Sequence, residues 1–340
     1  MRFRVAASVT RPFRVRILGV LFPQTIDMEI VEGIENYHPD SPTCVTVGTF
    51  DGLHIGHRKI MDALVGIARR ERLRSVVVTF DPHPRQVLAP GAEVKFVLTR
   101  DEKVKMFATL GVDVLVVHPF SRDFAAIKAK DFLVDLLCKQ VQMRHLVKGF
   151  NNHFGCDRLS DVNAIRVLGE QNGFAVTQVD AECCGGVSAS STLVRRLIME
   201  GNMDDVAKVL GYQFFVEGTV VHGRMIGRTI GFPTANINIG DPSKILPKPG
   251  AYVATVCVDA AYHPAILNIG SNPTVNNDSK KVFLEAHIID FDADIYGQLI
   301  KVNILHRIRD EVAFGSIDEL RAQLARDREV ALSVIAQYAS

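Results

Sequence analysis

Residues 45–57, V-T-V-G-T-F-D-G-L-H-I-G-H, restrict the fold of this chain more than any other stretch. Val45, Thr46 and Val47 are β-branched and read as a short buried strand. Gly48 permits a sharp turn, Asp51-Gly52 continues the loop, and residues 58–72 read as a helix. A strand passing through a glycine loop into a helix N-terminus offers unpaired N–H groups and the positive end of the helix dipole. That is a place to hold anionic phosphate. His54 and His57 are three residues apart with Gly56 between them, so both rings reach one phosphate while the glycine lets it approach. An ordinary loop with two surface histidines would use the same letters.

The segment G-T-F-D-G-L-H-I-G-H resembles the nucleotidylyltransferase superfamily, whose H-x-G-H histidines bind ATP phosphates. In particular it resembles the adenylyltransferase half of bacterial bifunctional riboflavin kinase/FAD synthetases. The resemblance implies that His54 and His57 are catalytic and that Gly48, Phe50, Asp51 and Gly52 belong to an ATP site.

Further apolar runs at 75–80, 115–117, 145–149 and 174–179 read as strands, with helical stretches at 101–110, 130–141 and 161–171 between them. Such alternation argues for a parallel sheet covered on both faces, with ligands at the carboxyl ends of its strands. Two strand-end loops are candidates for the same pocket. Asp81-Pro82-His83-Pro84 is either a rigid turn or a pocket wall. G-F-N-N-H-F-G at 149–155 is similar to the family's nucleotide- and flavin-contacting loop, with Asn151 at its amide or carboxylate position and Asn152 where an aromatic is more usual. In S-A-S-S-T-L-V-R-R, residues 188–196, a hydroxyl of Ser190, Ser191 or Thr192 suits a helix cap. Arg195 follows Thr192 on the same helical face. The stretch resembles the superfamily's I-S-S-T-x-I-R signature, with Ala189 at the usual isoleucine. This implies phosphate binding by Ser191 and Thr192 and a catalytic cation at Arg195.

After a short helix at 203–211 the pattern changes. Strand-like runs at 215–221, 252–258, 265–269, 282–289 and 300–305 lie close together without a long helix between them, as in an antiparallel barrel. A final helix is expected at about 316–338. The glycine-rich stretch 223–236, G-R-M-I-G-R-T-I-G-F-P-T-A-N, is not a Walker A loop, because its glycines are too close, arginine replaces lysine and Pro233 interrupts any helix. Thr234 and Asn236 alternate, so an extended chain projects both to one face as hard oxygen ligands suited to Mg²⁺. The stretch resembles the riboflavin kinase G-R-x-x-G-F-P-T-A-N motif. That implies ATP binding at Gly223, Gly227 and Arg228 and a magnesium site at Thr234 and Asn236. The family pattern E-x-H matches Glu285 and His287, which implies Glu285 as catalytic base. Asn268, in N-I-G-S-N-P-T, and Arg309, in R-D-E-V-A-F, match flavin-side segments.

Composition limits the alternatives. At 47% hydrophobic and 23% charged residues, 340 residues suffice for two globular domains, and a formal charge of +1 carries no nucleic-acid footprint. Six cysteines lack C-x-x-C or zinc spacing, which suits reduced thiols in the cytoplasm. Residues 1–26 carry five arginines and no acid, leaving 34 basic against 38 acidic residues in 27–340. Their apolar run, 17–22, is too short to span a membrane, and no signal-cleavage pattern follows. A transit peptide is one reading of this segment; a dispensable extension ahead of a working start at Met28 is the preferred one.

The expectation is an α/β chain: a basic extension at 1–27, a Rossmann-like parallel-sheet nucleotidylyltransferase domain at 28–212, and an antiparallel β-barrel kinase domain with a terminal helix at 213–340. By the resemblance it converts riboflavin and ATP to FMN, then FMN and ATP to FAD and pyrophosphate, with Mg²⁺. No nucleic-acid, membrane or protein partner is expected. A tRNA-charging ligase shares H-I-G-H but would need a K-M-S-K-S-like segment, which is missing here. The alternative is a flavin- or nucleotide-binding protein with one active half.

Overall fold

The computed structural model describes residues 28–89, 91, 93–223, 231–272 and 281–339. The expected phosphate-binding residues Gly227 and Arg228, and the extension 1–27, lie outside the described residues. The chain runs through β1 (Glu29–Glu32), β2 (Thr43–Val47), α1 (Ile55–Glu71), β3 (Arg74–Phe80), α2 (Pro84–Leu88), α3 (Arg100–Thr109) and β4 (Val114–His118). It continues with α4 (Arg122–Ala125), α5 (Ala129–Asp131), β5 (Met143–Gly149), α6 (Val162–Asn172) and β6 (Ala175–Val179). A small hairpin, β7 (Cys183–Cys184) with β8 (Val187–Ser188), precedes α7 (Ser191–Glu200) and α8 (Met203–Leu210).

Six strands form one parallel sheet in the order β1-β4-β3-β2-β5-β6. The central strand β2 is buried along its whole length, which is why T-C-V-T-V shows no alternation of polar and apolar residues. Residues of α1, α3, α7 and α8 cover one face, and residues 132–140 and α6 the other. Helix α1 starts at Ile55 rather than at residue 58, because His54 is already its extended N-cap. H-x-G-H is therefore the first turn of the helix, not the loop ahead of it. Residues 132–140, expected as α-helix, are π-helical and end with Val141 N–H donating to the Leu136 carbonyl.

Strands β9 (Phe215–Val221), β10 (Ala235–Asn238), β11 (Gly250–Val258), β12 (Ala261–Asn272), β13 (Lys281–Ile288) and β14 (Leu299–Arg309) close an antiparallel barrel in the order β10-β13-β12-β11-β14-β9. Strand β10 escapes sequence pattern because A-N-I-N is half polar; its partners β9 and β13 define it. Strand β12 is longer than the expected 265–269, since Pro264 and Gly270 interrupt the apolar run without ending the ladder. The terminal helix α9 (Ile317–Ala339) lays Ala331 and Ile335 on Val253, Ile266 and Leu305 outside the barrel. The two domains share a continuous apolar core, from Leu64 and Phe107 through Phe214 to Val302 inside the barrel.

Candidate active sites

The carboxyl ends of β2, β5 and β6 open into a cleft of about 850 Å³. Its floor is the turn after β2. Phe50 (φ 47°) and Gly52 (φ 83°) adopt left-handed conformations, and a Cβ on Gly52 would press on Val97. Gly48 lies over the Phe50 ring, and that ring packs edge-on against His57 and Phe107. Phe50, 2% exposed, thus supports the loop from beneath. The rings of His54 and His57 stack at 3.7 Å along the cleft. Burial pushes His54 down to about 4 and His57 well below the usual imidazole range, the neighbouring His54 adding to the second shift. Both rings are neutral at pH 7, and among the described residues the Nδ1 atom of each has no hydrogen-bond partner.

Asp51 has its carboxylate engaged in the protein. Oδ1 accepts from the Val97 and Leu98 N–H groups at 2.9 and 3.3 Å, and Oδ2 from Arg195 Nη1 at 2.6 Å. Arg195 on α7 therefore reaches the cleft already anchored, and sequence pattern alone held no sign of this pair. Ser190 is the N-cap of α7, accepting from Leu193 N–H. Ser191 Oγ donates to the Asp51 carbonyl at 2.8 Å, and Thr192 lines the cleft. Asn151 is exposed at the rim, whereas Asn152 turns inward and donates to the Val47 carbonyl at 2.9 Å. The unusual residue at position 152 thus ties the loop to the end of β2.

The Asp81-Pro82-His83-Pro84 loop is a turn and a wall at once. His83 caps α2 by accepting from Arg85 N–H, and it also lines the cleft. Phe80, Phe120 and Phe124 form a mutually tilted aromatic cluster on the same wall, with centroids 5.4–5.7 Å apart. Phe120 and Phe124 were not singled out from sequence. Their signal was two phenylalanines four residues apart just beyond a strand end.

The second site lies on the barrel. Asn236 faces Glu285 across β10–β13, and Glu285 faces Asn268 across β13–β12. Directly opposed residues share a sheet face. Their chain neighbours Ile237, Leu284, Ala286, Leu267 and Ile269 fill the barrel core, so the row lies on the outer face. His287 supports it. Its Nδ1 lies 2.8 Å from the Pro233 carbonyl, which can only accept, so Nδ1 carries the proton and holds the P-T-A-N strand in place. Gly223 packs on Asn236 so closely that a Cβ would collide with the amide. Arg309 is committed elsewhere: Nη2 donates to the buried Asp327 of α9 at 2.8 Å, and its guanidinium lies over Phe314. Among the described residues no cluster of three or more His, Cys, Asp or Glu could hold a metal. Thr234 and Asn236 supply a hydroxyl and an amide oxygen, a neutral hard-oxygen set that fits Mg²⁺ shared with phosphates and water.

A family model for FAD synthetase matches residues 37–193, and one for riboflavin kinase matches residues 210–335. A bifunctional riboflavin kinase/FMN adenylyltransferase of Escherichia coli K12 is 36% identical over 303 residues, covering 88% of this chain and 96% of that protein. Its namesake in Listeria monocytogenes is 34% identical over 286 residues, covering 84% and 90%. A crystal structure from Streptococcus pneumoniae, described as a macrolide-efflux protein, superposes with a TM-score of 0.83 at 32% identity, covering 90% of this chain and 99% of that one. With both halves matched in order and nearly the whole length of these relatives covered, the chain belongs to the bifunctional riboflavin kinase/FMN adenylyltransferase family.

Proposed function

We propose that this chain makes FAD from riboflavin in two ATP-dependent steps at two separate sites, phosphorylation on the barrel and adenylylation in the cleft of the parallel-sheet domain. The observation that carries the reading is the difference in chemistry between the sites. The barrel presents the Glu285 carboxylate in one row with the amides of Asn236 and Asn268, whereas the cleft presents two stacked neutral histidines, Arg195 and the N-terminus of α1.

That difference matches what each step needs. Riboflavin's primary hydroxyl is a poor nucleophile at neutral pH, and Glu285 would accept its proton as the oxygen attacks the γ-phosphorus of ATP and ADP leaves. Thr234 and Asn236 would hold Mg²⁺, which when bound offsets phosphate charge, and Gly223 lets the Asn236 amide keep its position. Asn268 extends the row toward the flavin. FMN arrives with its phosphate already mostly ionised, so the cleft needs no base. There the phosphate attacks the α-phosphorus of ATP and pyrophosphate leaves. Negative charge develops on the leaving group, and Arg195, the His54 and His57 rings and the N-terminus of α1 are placed to stabilise it. Because the rings are neutral, they act as hydrogen-bond donors. With Nδ1 unpaired, the proton is better placed on Nε2, the nitrogen left to meet phosphate. Thr192, Ser191 and Asn151 would complete the nucleotide contacts. Phe80, Phe120 and Phe124 offer an apolar wall of ring faces and edges for the isoalloxazine ring.

No helix among the described residues is long and apolar enough to cross a membrane, and all six cysteines are free, which suits a reducing cytoplasm. The test is incubation with riboflavin, ATP and Mg²⁺, reading riboflavin, FMN and FAD by chromatography. FMN should appear first and FAD after it, and omission of Mg²⁺ should stop both. Absence of either product from a folded protein would overturn the assignment of that half.

A further inference from the structure

Lys244 belongs to the barrel domain, in the connection between β10 and β11, yet its ammonium ends inside the first domain. It donates to the Val97 carbonyl at 2.8 Å and to Glu102 Oε2 at 2.5 Å. Neither side chain of the ion pair is more than 1% exposed, and the ammonium lies over the rings of Phe214 and Phe215. The Val97–Leu98 peptide that it grips donates its N–H to Asp51, and so does the N–H of Val97 in the preceding peptide. Asp51 in turn holds Arg195. The barrel clamps the same segment by backbone as well: Phe96 N–H donates to the Ser243 carbonyl, and Ile245 N–H to that of Phe96. Lys244 is thus linked to Arg195 through Val97 and Asp51, although it lines neither site.

We propose that Lys244 is a positioning residue for adenylylation: by fixing the Val97–Leu98 peptide it holds Asp51, and through Asp51 it aims Arg195 at the leaving pyrophosphate. The proposal rests on the assignment of adenylylation to the cleft. The physical basis is that charge-assisted bonds in a dry, tightly packed site are strong and leave their partners little freedom. An arginine released from such a frame has many rotamers, and a displacement of about 1 Å at a reacting group costs up to about 100-fold in rate.

The experiment is a double-mutant cycle in the full-length chain, with riboflavin-to-FMN and FMN-to-FAD turnover read separately. K244M alone would strand a buried Glu102 carboxylate, so it is combined with E102Q. E102Q alone strands the buried Lys244 ammonium in the same way but keeps its bond to Val97, so it serves as the control for loss of the ion pair without loss of the Val97 contact. In K244M/E102Q, kcat for FAD formation should fall about 10- to 100-fold, with less change in the KM for ATP. In E102Q it should stay near the parental value, and riboflavin phosphorylation should be unchanged in both. In an Arg195→Ala background the same substitutions should have little further effect, because their route to the site is already cut. Independent, additive losses, or equal losses in E102Q and K244M/E102Q, would overturn the proposal. If K244M/E102Q does not fold, K244Q/E102Q takes its place in the cycle, its two amides bonding each other but falling short of Val97. A parental chain that makes no FAD from supplied FMN would refute the adenylylation reading itself, a failure distinct from an additive cycle.

Discussion

Glu285 lies directly opposite Asn236 on one side and Asn268 on the other, so three residues from three strands form a single row across the outer face of the barrel. Opposed side chains on neighbouring strands stand about 5 Å apart at Cβ. An amide proposed to hold the metal and a carboxylate proposed to take a proton are therefore held side by side by the ladder itself.

Glu285→Gln keeps size and polarity but removes the proton acceptor. Riboflavin should persist in this variant, while supplied FMN is converted to FAD at near the parental rate. His57→Ala should show the reverse, accumulating FMN and losing FAD formation by about 100-fold or more if the ring meets charge that develops in the transition state. Both steps are measured in both variants by chromatography. Loss of both reactions in either well-folded variant would defeat the two-site assignment.

Gly223→Ala places a methyl group against the Asn236 amide. Asn236 must then move, and with it one end of the row. Riboflavin phosphorylation should drop by about 10-fold or more while FAD formation from FMN is untouched. Steady-state rates with each substrate decide it, and an unaffected kinase would mean that the amide is not needed where it stands.

Asp51→Asn removes the charge that anchors Arg195 and leaves the arginine beside an amide. Breaking a buried pair is costly, about 3 kcal/mol at the lower end of such cases, because Arg195 can turn toward the open cleft. FAD formation should fall more than riboflavin phosphorylation, and the urea midpoint should shift down. Parental stability in this variant would show that the Asp51–Arg195 bond contributes little to the fold.

Acid should destabilise the protein before its carboxylates titrate. His54 and His83 are both pushed down to about 4 by burial, against 6.5 when exposed. Between these values the unfolded chain takes up protons that the folded chain refuses, so stability is lost as pH falls from about 6.5 toward 4 and is present in full above that window. His54→Asn puts a favoured N-cap residue at the start of α1 and should flatten this slope. Urea unfolding at pH 7 and pH 5 in the parental and variant chains measures it, and equal slopes would show that His54 does not bear the shift.

The sequence alone determined the alternation of strands and helices in the first half of the chain and the succession of strands in the second. Runs such as S-V-V-V-T-F alternating with helical stretches require a covered parallel sheet, and H-I-G-H and S-S-T-L-V-R mark a helix start and a capped helix by local backbone preference. Those properties depend on neighbours a few residues away, so the chain states them directly. What only the tertiary structure decided is which side chains are already engaged. Asp51 reads as a loop carboxylate until Arg195, 144 positions on, is found bonded to it, and Arg309 as a flavin-side cation until Asp327 is found holding it. Lys244 carries no motif, yet it reaches a peptide 147 positions earlier in the other domain. The polar strand β10 is likewise defined by its partners and not by its letters. Partner choice at such separations follows from how two domains pack on one apolar core, and no local pattern of residues encodes that geometry.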